Sequence, residues 1–163
     1  MSLSDFPTTR LRRLRYNPAV RRLVRETQLS PADFILPLFV RSGSDLRRPI
    51  DSMPGQFQLS PDQAAVEAAE ALRLGLGGVI LFGIPDRKDE TGSEAWNDEA
   101  PVQQATLALK KAYDDVIVIT DVCMCEYTDH GHCGLLTPAG EVDNDATLEL
   151  LAREAISHAE AGA

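Results

Sequence analysis

A chain of 163 residues, 44% hydrophobic and 25% charged, has the length and balance of one ordinary globular domain. It holds no apolar run of about 18 residues, which argues against a helical membrane span, and its first residues lack the apolar core of a secretory signal. The net charge of −9 is divided unevenly, with seven arginines against Asp5 in residues 1–25 and nine bases against 24 acids beyond them, and so acidic a body disfavours nonspecific nucleic-acid binding.

The basic segment comes first. Arg10, Arg12, Arg13 and Arg15, followed by Arg21, Arg22 and Arg25, are interleaved with Leu11, Leu14, Leu23 and Val24. That interleaving favours an arm, residues 1–30, that docks on the acidic body of a neighbouring subunit over an RNA- or lipid-binding tail.

Residues 34–40 form a short apolar run that reads as a buried strand, with Pro37 pointing to an edge or a strand start. Residues 41–59 read as loop. Ser60, Pro61, Asp62 and Gln63 have the form of a capping box, opening an Ala-rich helix to about Leu74 with Gly75 placed to end it. A second strand follows at 77–84, then a polar loop with Trp96, then a helix at about 99–113 with Lys110 and Lys111 in its last turn, where cations suit the helix dipole. The glycines Gly75, Gly77 and Gly78 precede a strand and do not have the spacing of a phosphate-binding fingerprint. A third strand at 116–120 runs into Asp121. Asn144 or Asp145 is expected to cap a last helix at about 146–161, with Gly162 beyond it. The triplet Asp143, Asn144, Asp145 suits a turn and a cap better than a cation loop.

Strand and helix alternate, and continuous apolar strands in that order imply an α/β fold with a parallel sheet covered by helices. In such folds ligands bind at the carboxyl ends of the strands. Three βα units cannot close a barrel, so residues 31–163 are expected to be the N-terminal part of a longer protein.

The chemistry gathers after the third strand. Cys123, Cys125 and Cys133 are the only cysteines, and His130 and His132 lie beside them. Thiolate and imidazole suit a borderline-soft ion such as zinc. Three thiolates with an open fourth position would make a catalytic site, and His130 or His132 as the fourth ligand would make a closed structural one. A redox thiol pair, less suited to the C-x-C spacing, and buried, inert thiols are the remaining readings. An odd, clustered set of cysteines fits a reducing, cytoplasmic compartment rather than a disulfide framework. Asp121 at the strand end could orient a substrate amine, move a proton, or cap the loop backbone. His158 reads as a surface or packing histidine.

The run Asp121-Val-Cys-Met-Cys-Glu-Tyr-Thr-Asp-His-Gly-His-Cys-Gly-Leu-Leu136 resembles the zinc segment of porphobilinogen synthase, or δ-aminolevulinic acid dehydratase. The segments at 10–13, 22–27, 34–40, 52–55 and 142–148 resemble the same family. Asp129 departs from it, standing where a small hydroxyl residue often precedes His-Gly-His, and adds negative charge beside the cysteines. The resemblance implies a TIM (β/α)8 barrel, here about its first three βα units, with an extended N-terminal arm and assembly as a homo-octamer. It implies condensation of two 5-aminolevulinate molecules to porphobilinogen in tetrapyrrole synthesis. It also implies zinc on Cys123, Cys125 and Cys133, an active-site role for Asp121, and an allosteric magnesium ion in the intact protein. The family's two Schiff-base lysines lie in the second half of its chain, and Lys88, Lys110 and Lys111 match neither. The chain alone is therefore expected to be inactive. The competing expectation is a stand-alone zinc-binding regulatory or assembly module.

Overall fold

The computed structural model describes residues 11–163. The first ten residues of the expected arm, Arg10 among them, lie outside the described residues. The chain divides into two compact units, Met1–Ser30 and Pro31–Ala163. In the first, a short helix α1 (Pro18–Leu23) is capped by Asn17, whose side chain accepts the Val20 N–H at 2.9 Å, and Pro18 occupies the first turn, where a missing N–H is harmless.

The second unit is built on a sheet of five strands. β1 (Ile35–Arg41), β4 (Gly78–Ile84) and β5 (Val118–Thr120) run parallel, with Phe39 opposite Phe82 and Ile80 opposite Ile119. Two short strands, β2 (Arg47–Pro49) and β3 (Phe57–Leu59), lie in the segment expected to be loop, and the sheet order is β2-β3-β1-β4-β5. Their run of arginines and prolines hid them, yet Arg47 stacks its guanidinium 3.4 Å from the centre of the Phe57 ring across the antiparallel pair. β1 is therefore an interior strand. It tolerates Pro37 because β3 reaches only Phe39 and Val40, so on that side the residues around Pro37 have no strand neighbour.

Helices α2 (Pro61–Arg73) and α3 (Pro101–Ala112) cover one face of the sheet. Leu38, Val40, Val79, Leu81 and Val118 pack there against Ala64, Ala68, Val102, Ala105 and Leu109. Small alanines on the helices let them approach the branched strand residues closely. The capping box at Ser60 does not form. Ser60 Oγ accepts the Leu46 N–H at 2.9 Å and lies 2.6 Å from Asp62 Oδ1, while Gln63 donates to Asp45. These side chains tie the helix start to the β1–β2 connection rather than to its own backbone.

The opposite face of the sheet carries Phe39 and Phe82, stacked with centroids 5.6 Å apart, and beside them Ile35 and Ile119, which are exposed. The last helix, α4 (Asn144–Glu160), is capped by Asp143, which accepts the Ala146 N–H at 3.1 Å; the cap lies one residue before Asn144 and two before Asp145, the sequence candidates. Gly75 and Gly162, with φ of 84° and 109°, follow the ends of α2 and α4 as expected. Among the described residues no helix is long and apolar enough to cross a membrane.

Candidate metal centre

Asp121 stands one residue beyond β5. Its N–H donates to the Leu81 carbonyl at 3.2 Å, continuing the parallel ladder past the strand. By alternation from Ile119 its side chain falls on the open face of the sheet, at the carboxyl end, level with Phe82 when the register is carried one step past Leu81 and Thr120.

The chain then enters a single 3-10 turn at Met124–Glu126, anchored by the buried Met124 and Tyr127 in a small core with Ala95 and Leu150. This turn sends Cys123 and Cys125 to the same side, with their sulfurs 3.3 Å apart. Cys133 returns after a loop with Gly131 at φ 74°, and all three sulfur atoms lie within 4.8 Å of one another. All three thiols are free. Such a set suits a thiophilic ion, and three donors leave room for a further ligand.

The histidines expected as possible fourth ligands stand apart from this group of ligand atoms. Their rings lie 5.6 Å apart, and His130 Nδ1 accepts the His132 N–H at 3.1 Å. This arrangement favours the three-donor site over the closed one. Asp129 is exposed, and its backbone N–H donates to the Asp89 carbonyl at 3.1 Å.

The surroundings are strongly acidic. Burial pushes the Glu126 carboxyl up to about 7, helped by the charge of Asp121 and opposed by the Gly83 N–H, which it accepts at 3.1 Å, and by Lys88. Glu154, on α4, is wholly buried. Burial raises it to about 8; the Cys123 N–H partly relieves this, although it lies outside hydrogen-bonding geometry, and Glu126 and Asp121 raise it further. The Cys123 thiol is pushed up to about 12, first by burial. Burial also raises Tyr127 and lowers His158, the latter against the pull of Asp121. Burial, the largest cause of each of these shifts, disfavours charge of either sign, and only the smaller contributions of Asp121, Glu126 and Glu154 reflect an acidic surrounding.

The sequence singles out Asp121 and the three cysteines, which the structure brings to one end of the sheet and to one another respectively, and gives no prominence to Glu126 and Glu154. For Glu154 a signal was present: Thr147, Leu150, Glu154, Ser157 and His158 are the buried positions of α4, at helical spacing. A glutamate on that stripe is out of place on a purely structural helix face. His158 belongs to the packing rather than the surface, at 1% exposure.

Comparison with known proteins gives the family of the chain. The family model for delta-aminolevulinic acid dehydratase matches residues 8–163. The delta-aminolevulinic acid dehydratase of Synechococcus elongatus is 51% identical over 161 residues, covering 97% of this chain and 49% of that protein. That of Methanothermobacter thermautotrophicus is 49% identical, with 98% and 49% covered. Among solved structures, delta-aminolevulinic acid dehydratase from Toxoplasma gondii, in complex with the reaction product porphobilinogen, superposes with a TM-score of 0.88 at 38% identity, covering 95% of this chain and 45% of that one. The chain thus spans about half the length of the curated relatives named here.

Proposed function

The chain belongs to the delta-aminolevulinic acid dehydratase family, and from that premise we propose that it supplies the metal-binding half of a porphobilinogen synthase. The intact enzyme would condense two 5-aminolevulinate molecules to porphobilinogen, with loss of two waters, in heme and porphyrin biosynthesis. The observation that carries this reading is the family match over residues 8–163, a span that includes the sheet, Asp121 and all three cysteines.

Cys123, Cys125 and Cys133 would hold zinc, and the donor chemistry fits that ion: three free thiols, close together, in an acidic surrounding. Zinc held there supplies Lewis acidity toward a substrate carbonyl. Asp121, on the open face beside Phe82, is placed to hold the ammonium group of 5-aminolevulinate or to move its proton. Glu126, pushed up to about 7 by burial and by the charge of Asp121, accepts the Gly83 N–H beside it. The open face of the sheet, with Phe39 and Phe82 stacked on it, would be the interior of a TIM barrel of which these are about the first three βα units. The N-terminal arm, residues 1–30, would dock on a neighbouring subunit in a homo-octamer, its arginines meeting an acidic body, and magnesium would act as an allosteric ion in that assembly. A reducing cytoplasm would keep the three thiols ready for metal.

The lysine chemistry of the reaction has no group here to perform it. Lys110 is occupied by the Val116 carbonyl at 3.1 Å, Lys111 ends α3, and Lys88 is exposed in the loop after β4. A Schiff-base lysine needs burial to hold its amine neutral.

Two measurements on the purified 163-residue chain test the reading together. Metal analysis is expected to find roughly one zinc per chain, held far more weakly by Cys123→Ala, Cys125→Ala or Cys133→Ala, as a site of few ligands requires. Incubation with 5-aminolevulinate is expected to give no porphobilinogen. Product formed by the chain alone would overturn the division of labour. A thiol trio that cycles to a disulfide without metal would overturn the zinc site.

A further inference from the structure

Two of the three sulfurs are placed by local geometry, since Cys123 caps one short turn and Cys125 lies within it. Cys133 is not: eight residues separate it from Cys125, it is exposed, and its loop must be brought back to meet the pair. The contacts that bring it back form a continuous line through Thr128. Thr128 is 1% exposed, and its N–H donates to the Met124 carbonyl at 2.9 Å, tying it to the turn between the first two cysteines. Its hydroxyl donates to the carbonyl of His132, the residue before Cys133, at 2.8 Å.

Thr128 is itself held from outside. It bridges in parallel to Asp89, in the loop after β4, through the Asp89 N–H to Tyr127 carbonyl bond at 3.3 Å and the Asp129 N–H to Asp89 carbonyl bond at 3.1 Å. That loop is made stiff by the Asp89 carboxylate. Its Oδ1 accepts the Thr91 N–H at 2.9 Å, the Thr91 hydroxyl at 3.0 Å and the Ser93 N–H at 3.1 Å, and its Oδ2 accepts the Ser93 hydroxyl.

We propose that Thr128 is a positioning residue of the metal centre: braced by the Asp89 turn, its hydroxyl fixes the return of the chain and so decides whether Cys133 joins Cys123 and Cys125 as a third donor. The inference rests on the metal reading given above. Groups that orient ligands without touching the ion change its affinity by about 10–100-fold when removed. A merely structural threonine would change stability instead and leave the number of thiolates on the metal untouched.

The test uses the 163-residue chain, with Co2+ as a spectroscopic probe of thiolate number and Zn2+ affinity measured against a chelator. Thr128→Val keeps the shape and removes the hydroxyl; Thr128→Ser keeps the hydroxyl; Cys133→Ala sets the two-thiolate reference. The thiolate-to-cobalt absorption of Thr128→Val is expected to fall to the Cys133→Ala level, and its zinc affinity to drop by at least roughly tenfold. Thr128→Ser is expected to match the parent in both. If Thr128→Val does not fold, Asp89→Ala, at a partly exposed position, is expected to show the same loss of the third thiolate. Full three-thiolate absorption in Thr128→Val or in folded Asp89→Ala overturns the inference, as does a Thr128→Ser variant that behaves like valine. A parent chain that binds neither ion removes the metal reading, and this inference with it, whereas a metal-binding parent with an unaffected variant removes this inference alone.

Discussion

A carboxyl group placed where no water reaches it stays protonated or finds a cation, and Glu154 meets that choice at the back of the metal loop. Neither of its oxygens, nor either ring nitrogen of His158 one helical turn later, has a hydrogen-bond partner. Its pKa of about 8 lies above the ordinary 4.5. Below the ordinary value the folded and unfolded chains both carry the proton, and burial of the charge costs nothing. As pH rises past it, the unfolded chain releases the proton while the folded chain keeps it. The folded state then binds more protons, so stability falls with rising pH until the folded group ionises too. Glu126, raised to about 7, acts in the same sense over a narrower window. The metal-free chain is therefore expected to lose stability between roughly pH 4.5 and 8. Glu154→Gln keeps the shape and never ionises. Its thermal midpoint should lie close to the parent's at about pH 5 and above it at about pH 8.5. Thermal denaturation followed by circular dichroism at both values measures this, and a parent-to-variant difference that does not change with pH would mean that Glu154 is not the group responsible.

At the scale of elements, what could be read from the sequence follows from how local each signal was. The strands β1 and β4 and the helices α2, α3 and α4 stood out because their apolar patterns are long and the helix ends carry Pro or Gly, and β5 because it overlaps the longer apolar run 116–119. β2 and β3 did not, since three residues each cannot show a period and their pairing depends on contacts made far along the chain. The metal loop was legible as a list of ligand types but not as geometry, because the return of Cys133 is set by Asp89, more than forty positions earlier. Non-local contact also decides Gly83, an unremarkable strand glycine in sequence. A Cβ there would collide with the Tyr127 hydroxyl and lie 2.9 Å from Val102 Cγ2. Both neighbours are buried, so neither can yield cheaply. Gly83→Ala is expected to destabilise the chain by about 1–3 kcal/mol, read as a lowered urea midpoint. Because the displaced Tyr127 closes the turn that holds Cys125, the substitution should also weaken zinc binding; unchanged stability would show that the strand can slide to make room.

For the whole molecule the telling asymmetry is between the two faces of the sheet. The helix-covered face buries Leu81 completely, whereas Phe39, Phe82 and Ile119 stay partly or largely open on the other. A parallel sheet is ordinarily covered on both faces, and an apolar surface of this kind attracts either more protein or itself. The net charge of −9 opposes self-association at low ionic strength but is screened over about 10 Å at 0.1 M salt. The 163-residue chain is accordingly expected to bind a hydrophobic dye such as anilinonaphthalene sulfonate while fully folded, and to self-associate as salt is raised. Phe82→Gln should reduce both effects, because it places a polar group at the centre of the open face and breaks the stack with Phe39. It should cost less thermal stability than Leu81→Ala, whose side chain is removed from a closed core and leaves a cavity. Dye fluorescence and light scattering as a function of salt, with midpoints for both variants, separate the alternatives. Dye binding untouched by Phe82→Gln, or a midpoint as low as that of Leu81→Ala, would place the exposed apolar surface elsewhere and remove the main physical support for reading this face as the lining of a barrel.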